Sequence, residues 1–242
     1  MSIERKVALV TGASQGIGAG VVKAFVERGF NVVASSRKVT SSVEVAASDH
    51  VALVDGDIGQ PATAARVVEA ALSRFRSIDV LVNNAGIFFS KPFTDYTAED
   101  FQGLVSTNLA GFLYLTQLAV KQMLAQKTGG SIVTITAALA ANPIVGAEAS
   151  VPIITKGGLN SITKHLAIEY AKDGIRFNAV APGVVDTPLH KNEPKDSLQS
   201  LSPMGVLSSV KDIVDAVMYL TEARTVTGEI LNVDGGAHTG RW

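Results

Sequence analysis

Along its hydrophobic and polar positions, the chain alternates between short apolar runs and longer stretches of helical period. "KVALVTG" (6–12) sets apolar residues side by side before a glycine turn, as a strand buried on both faces requires. "NVVASS" (31–36), "HVALVDGD" (50–57), "IDVLVNNAG" (78–86), "GSIVTIT" (130–136), "IRFNAVAPG" (175–183) and "EILNVDGG" (229–236) repeat that design. Residues 17–28 place Ile17, Val21, Val22 and Phe25 at helical spacing, with Gly29 just past the helix end. Further helical windows lie near 61–76, 98–126, 151–172 and 210–221, and Gly129–Gly130 and Gly174 mark helix ends. Strands interleaved with helices predict an α/β fold: one domain built on a doubly wound parallel seven-stranded sheet with helices on both faces. The irregular stretch 182–209, rich in Pro, Ser and charge, reads as a lid over a substrate site.

Composition narrows the function. The 242 residues are 47% hydrophobic and 18% charged, an ordinary globular balance. A net charge of −1 without a basic run argues against nucleic acid and anionic membranes as partners. The absence of cysteine excludes disulfides, thiolate metal sites and a Cys nucleophile. His50, His165, His190 and His238 lack ligand spacing, so no metal site is expected. "MSIERKVALV" has no signal-like apolar region and no segment is expected to reach membrane-spanning length, so the expected location is the cytoplasm.

Chemistry enters at "TGASQGIG" (11–18), where Gly12, Gly16 and Gly18 stand between the first strand and the first helix. Glycines permit a tight turn and close backbone approach, and a helix N-terminus offers free N–H groups to a diphosphate. The second strand ends in "VVASSRK", with no acidic residue to bond a ribose 2′-OH. Ser36 and Arg37 suit a 2′-phosphate, so NADP(H) is favoured over NAD(H).

The chain resembles the short-chain dehydrogenase/reductase family from about residue 5 onward. The resemblance rests on "TGASQGIG", "NNAG" (83–86), Asn108 in "STNLAGF", Lys156, "PG" (182–183) and "VDGG" (233–236), in the family's order. It implies a Rossmann-type fold, a homotetramer or homodimer built through 98–126, 151–172 and the last strand, and hydride transfer between nicotinamide and a small carbonyl or alcohol. It further implies that Ser14, Gln15, Gly16 and Ile17 belong to the phosphate turn, that Asp57 and Ile58 hold the adenine, and that Asn84, Ala85 and Gly86 line the adenine ribose. Pro182, Gly183, Val185 and Thr187 match the loop at the nicotinamide. Asn108 matches the residue that positions a relay water, and Lys156 the lysine that bonds the nicotinamide ribose.

Two expected hydroxyls are missing. Ala137, with Ala138 beside it, stands where the resemblance implies a serine, and Pro152 where it implies the acidic tyrosine, four residues before Lys156. Ser150 reads as the N-cap of the helix with Pro152 in its first turn. Glu148, Thr136 and His190 remain alternative proton donors. The chain therefore reads as an NADP(H)-linked oxidoreductase with an atypical proton-donor site, or as an inactive dinucleotide-binding homologue acting as sensor, scaffold or partner subunit.

Overall fold

The computed structural model describes residues 5–144, 146–190 and 194–240. Seven strands form one all-parallel sheet in the order β3-β2-β1-β4-β5-β6-β7: β1 (Val7–Thr11), β2 (Asn31–Ser36), β3 (Val51–Asp55), β4 (Val80–Asn83), β5 (Gly130–Ile135), β6 (Ile175–Pro182) and β7 (Ile230–Val233). The helices are α1 (Gly16–Glu27), α2 (Pro61–Phe75), α3 (Ala98–Leu104), α4 (Gly111–Gln126), α5 (Ser150–Glu169), α6 (Lys195–Gln199) and α7 (Val210–Glu222).

Why the strands read as continuous apolar runs follows from the layers. Ala8 and Val10 of β1 pack with Val21, Val22 and Phe25 of α1 and with Ile213 and Val217 of α7. Val7 and Leu9 point to the other face, against Val67 of α2 and Leu115 and Met123 of α4. Both faces are covered, so both alternate sets must be apolar. Arg176 on β6 adds a polar tie: its guanidinium donates to the carbonyls of Leu220 and Thr221, satisfying the C-terminal end of α7, and to that of Val226 beyond it.

Two expectations need correction. The helical run Ala98–Gln126, of 29 residues, does reach membrane-spanning length, with a mean hydropathy of 1.2 over its most apolar window. Its apolarity is explained by packing, since Leu104, Phe112, Leu115, Ala119, Val120 and Met123 are buried inside the domain. Nor does Ser150 cap α5. The cap position is Ala149, whose carbonyl already accepts from Ile153 N at 3.1 Å, and Ser150 is exposed in the first turn. The helix starts one residue earlier than the serine suggests.

In a parallel sheet all strands deliver their carboxyl ends to one edge. The strand order reverses between β1 and β4, so their following turns diverge and leave a crevice.

Candidate functional site

At that crevice the turn after β1 is glycine by contact. Gly12 has φ +63°, and a Cβ on it would lie 2.8 Å from Asn84 Nδ2 and 2.9 Å from Ala85 Cα. A Cβ on Gly18 would lie 2.2 Å from the Gly12 carbonyl oxygen. Thr11 fastens the two turns together: its hydroxyl accepts from Asn84 N and Ala85 N, both at 3.0 Å. Asn84 Nδ2 donates back to the carbonyls of Thr11 and Gly12. The opening of α1 has neither a side-chain cap nor an acidic residue in its first turn. A rigid glycine cradle thus faces an uncapped helix N-terminus, the donor arrangement an anion needs.

Next to the cradle, β2 ends in Ser35 and Ser36, whose buried hydroxyls have no partner among the described residues. Arg37 and Lys38 follow, exposed. Asp55, which pairs in register with Ser36, is the nearest strand-end carboxylate. It is engaged by Thr40, whose amide donates at 2.9 Å and whose hydroxyl at 2.5 Å. The hydroxyl bond chiefly holds its pKa below the ordinary value. Asp57 Oδ1 accepts from Gly59 N, and Ile58 is buried against Gly111. Ser14 contributes its carbonyl to Ser42 Oγ at 2.6 Å.

Beyond the cradle opens a cavity of about 320 Å³. Gly12, Gln15, Gly16, Ile17, Asn84, Ala85, Gly86, Lys156, Pro182, Gly183, Val185 and Thr187 line it, together with Phe88, Ala137, Ala138, Leu139, Ile144, Ala147, Leu189 and Leu201. Among the described lining residues, Lys156 is the single titratable group, and neither serine nor tyrosine is present. Its Nζ donates to the Ile135 carbonyl at 2.9 Å. Burial pushes the ammonium down from 10.5 to about 8.

That shift has a stability consequence. An unfolded lysine still holds its proton between pH 8 and 10.5 where folded Lys156 has lost it, so stability rises with pH across that window. Below pH 8 the penalty is fully present, at about 3 kcal/mol. Lys156→Met is therefore expected to be the more stable chain at pH 7, with its advantage over the natural chain vanishing toward pH 10.5. Denaturant midpoints of both chains across that range check this.

Asn108 does not line the cavity, although its Oδ1 would lie 3.2 Å from a Cβ on the lining Gly86. It lies in a π-helical turn, Val105–Ala110, that joins α3 to α4, and it is buried. Its Oδ1 accepts from Ile87 N; its Nδ2 donates to Ile87 O and to Thr155 Oγ1, which in turn donates to Pro152 O. The amide thus ties the segment after β4 to the first turns of α5, and no hydrogen on it is left over. Gly18, Ser14, Ser36, Arg37, Asp57 and Ile58 also lie outside the cavity wall. Of the alternative donors, Thr136 lines the cavity with its hydroxyl on Val180 O, whereas Glu148 is exposed and absent from the wall. The side chain of His190 lies outside the described residues.

Sequence reasoning missed the Thr11 clasp and the apolar wall of Leu139, Ile144 and Leu201. A threonine directly before the glycine turn was a usable signal for the first. Irregular segments carry no period that would reveal the second.

Comparison with known proteins agrees with this fold. The family model for enoyl-(acyl carrier protein) reductase matches residues 12–238. An uncharacterised oxidoreductase of Methylorubrum extorquens is 36% identical over 97% of this chain and 98% of its own length. The crystal structure of 3-ketoacyl-(acyl-carrier-protein) reductase from Brucella melitensis complexed with NADH superposes with a TM-score of 0.90 at 34% identity, covering 98% of this chain and all of its own. ElxO with NADP bound superposes at 0.88 with 29% identity, covering 98% and 100%.

Proposed function

Because the chain belongs to the short-chain dehydrogenase/reductase family, we propose that it is an NADP(H)-dependent oxidoreductase of small carbonyls or alcohols whose proton-donor site lacks both usual hydroxyls. The observation that carries this reading is the cradle itself, where Gly12 and Gly18 tolerate no Cβ and the α1 N-terminus has no cap of its own. The buried Ser36 hydroxyl, without a partner among the described residues, beside exposed Arg37 supports a phosphorylated adenosine ribose, because Asp55 is already engaged by Thr40. A bound dinucleotide supplies the hydride equivalent.

The remaining work falls to the chain's own residues. Gly12, Ser14, Gln15, Gly16, Ile17 and Gly18 hold the diphosphate through backbone amides. Arg37 and Ser36 take the 2′-phosphate. Asp57 and Ile58 bound the adenine, and Asn84, Ala85 and Gly86 its ribose. Pro182, Gly183, Val185 and Thr187 form the wall at the nicotinamide end, and the described part of 182–209 covers the cavity as a lid. Lys156 binds the nicotinamide ribose and is the proton reservoir. Asn108 holds the segment after β4 against α5, so that Gly86 stays beside Lys156; a Cβ on Gly86 would lie 3.3 Å from Nζ. Ala137 and Pro152 occupy the serine and tyrosine places. Exposed Phe101, Leu113, Ile154 and Ile168 on α3, α4 and α5 support assembly of two or four copies through those helices.

A second reading has its own observation: a cavity with neither serine nor tyrosine among its described lining residues suits a chain that binds dinucleotide and does not turn over. NADPH consumption with a panel of uncharged aldehydes, ketones and quinones separates the two. Slow turnover, reduced by about 10²–10⁴-fold from a site with its general acid, supports the enzyme. Tight NADPH binding without consumption by any acceptor supports the binding protein.

A further inference from the structure

The cavity presents an amine to which the oxidoreductase reading assigns no covalent chemistry. Lys156 lines it, and its Nζ has no carboxylate within ion-pairing distance among the described residues and makes a single hydrogen bond, to the Ile135 carbonyl. The walls around it are neutral and mostly apolar, and Gly86 brings no side chain in front of it. A volume of about 320 Å³, open to solvent on one side, is adequate for a small organic molecule.

We propose that Lys156 is a carbonyl-condensing amine, which forms an imine with a small uncharged aldehyde or ketone seated in this cavity. The nitrogen lone pair adds to the carbonyl carbon, the C=O π pair moves to oxygen, and the ammonium proton transfers to that oxygen to give a carbinolamine. Loss of water then leaves C=N–Lys156. No oxidant, reductant or dinucleotide is consumed. Burial supports the step, because an amine held near pKa 8 has about a tenth of its population unprotonated at pH 7, far more than an exposed lysine has.

The test uses the natural chain without nucleotide: benzaldehyde plus cyanoborohydride near neutral pH, then peptide mapping by mass spectrometry. The benzyl adduct at Lys156 is expected to form about tenfold or more faster than at exposed Lys23 or Lys211, given its larger free-amine fraction. Its rate should rise with pH and level off above about 8, while the exposed lysines keep accelerating. Labelling of Lys156 at or below the rate of Lys23 and Lys211, in protein with native circular dichroism, overturns the proposal. Saturating NADPH separates this inference from the proposed function. Protection of Lys156 supports both, whereas an adduct that forms equally fast keeps the amine chemistry and tells against the nucleotide reading.

Discussion

Ala137→Ser combined with Pro152→Tyr is expected to accelerate NADPH-dependent carbonyl reduction by about 10²–10⁴-fold, the contribution of a positioned general acid. Ala137 follows β5 and already lines the cavity, so a hydroxyl there meets the substrate volume directly. Position 152 stands one turn before Lys156 on α5, which puts a tyrosine on the lysine's helical face. Proline in the first turn gives up no helical hydrogen bond, so replacing it leaves the helix start intact. The nearby ammonium of Lys156 would stabilise the phenolate and lower the new tyrosine's pKa. Either single substitution should recover only part of the gain, because serine and tyrosine act on the same oxygen. Unchanged turnover in a double variant that still binds NADPH would mean that 137 and 152 do not face the reacting carbonyl.

Arg37→Asp should weaken NADPH by about 10²–10³-fold and leave NADH within a few-fold. The substitution removes charge-assisted hydrogen bonds worth about 1.5–3 kcal/mol and adds a like charge beside the phosphate, with each 1.4 kcal/mol counting tenfold. Arg37 makes no ion pair among the described residues, so its loss leaves no carboxylate stranded. The folded chain should therefore keep its thermal stability, and a fall in NADPH affinity reports on the phosphate alone. Competitive titration of both coenzymes against the variant measures it. Parallel losses for NADH and NADPH would place Arg37 away from the 2′-position.

What could be read in advance, and what could not, divides along a physical line. A parallel strand covered on both faces must be apolar at consecutive positions, so Val7–Val10 and Leu81–Val82 announced themselves. Gly12 and Gly18 were legible for a related reason: contacts of 2.8 Å and 2.2 Å leave no room for a Cβ. Pairings between segments distant in sequence were silent. Nothing near Asp55 announces that Thr40 will engage it, and nothing near Asn108 that it will join Ile87 to Thr155. The start of α5 misled because Ser150 carries the chemistry of a cap, while the backbone closes its first turn on Ala149. The long helical run looked ordinary by charge, and only its packing separates a core helix from a membrane-length one.

The claim on which the functional account rests is that the amides following β1 grip a dinucleotide and that Arg37 selects its phosphorylated form. Isothermal titration of the unsubstituted chain with NADPH and with NADH tests it most directly. The account predicts saturable heat with NADPH and an affinity at least about tenfold weaker for NADH. Equal or NADH-favouring affinity would contradict the phosphate selection, and no heat with either coenzyme in folded protein would contradict the site.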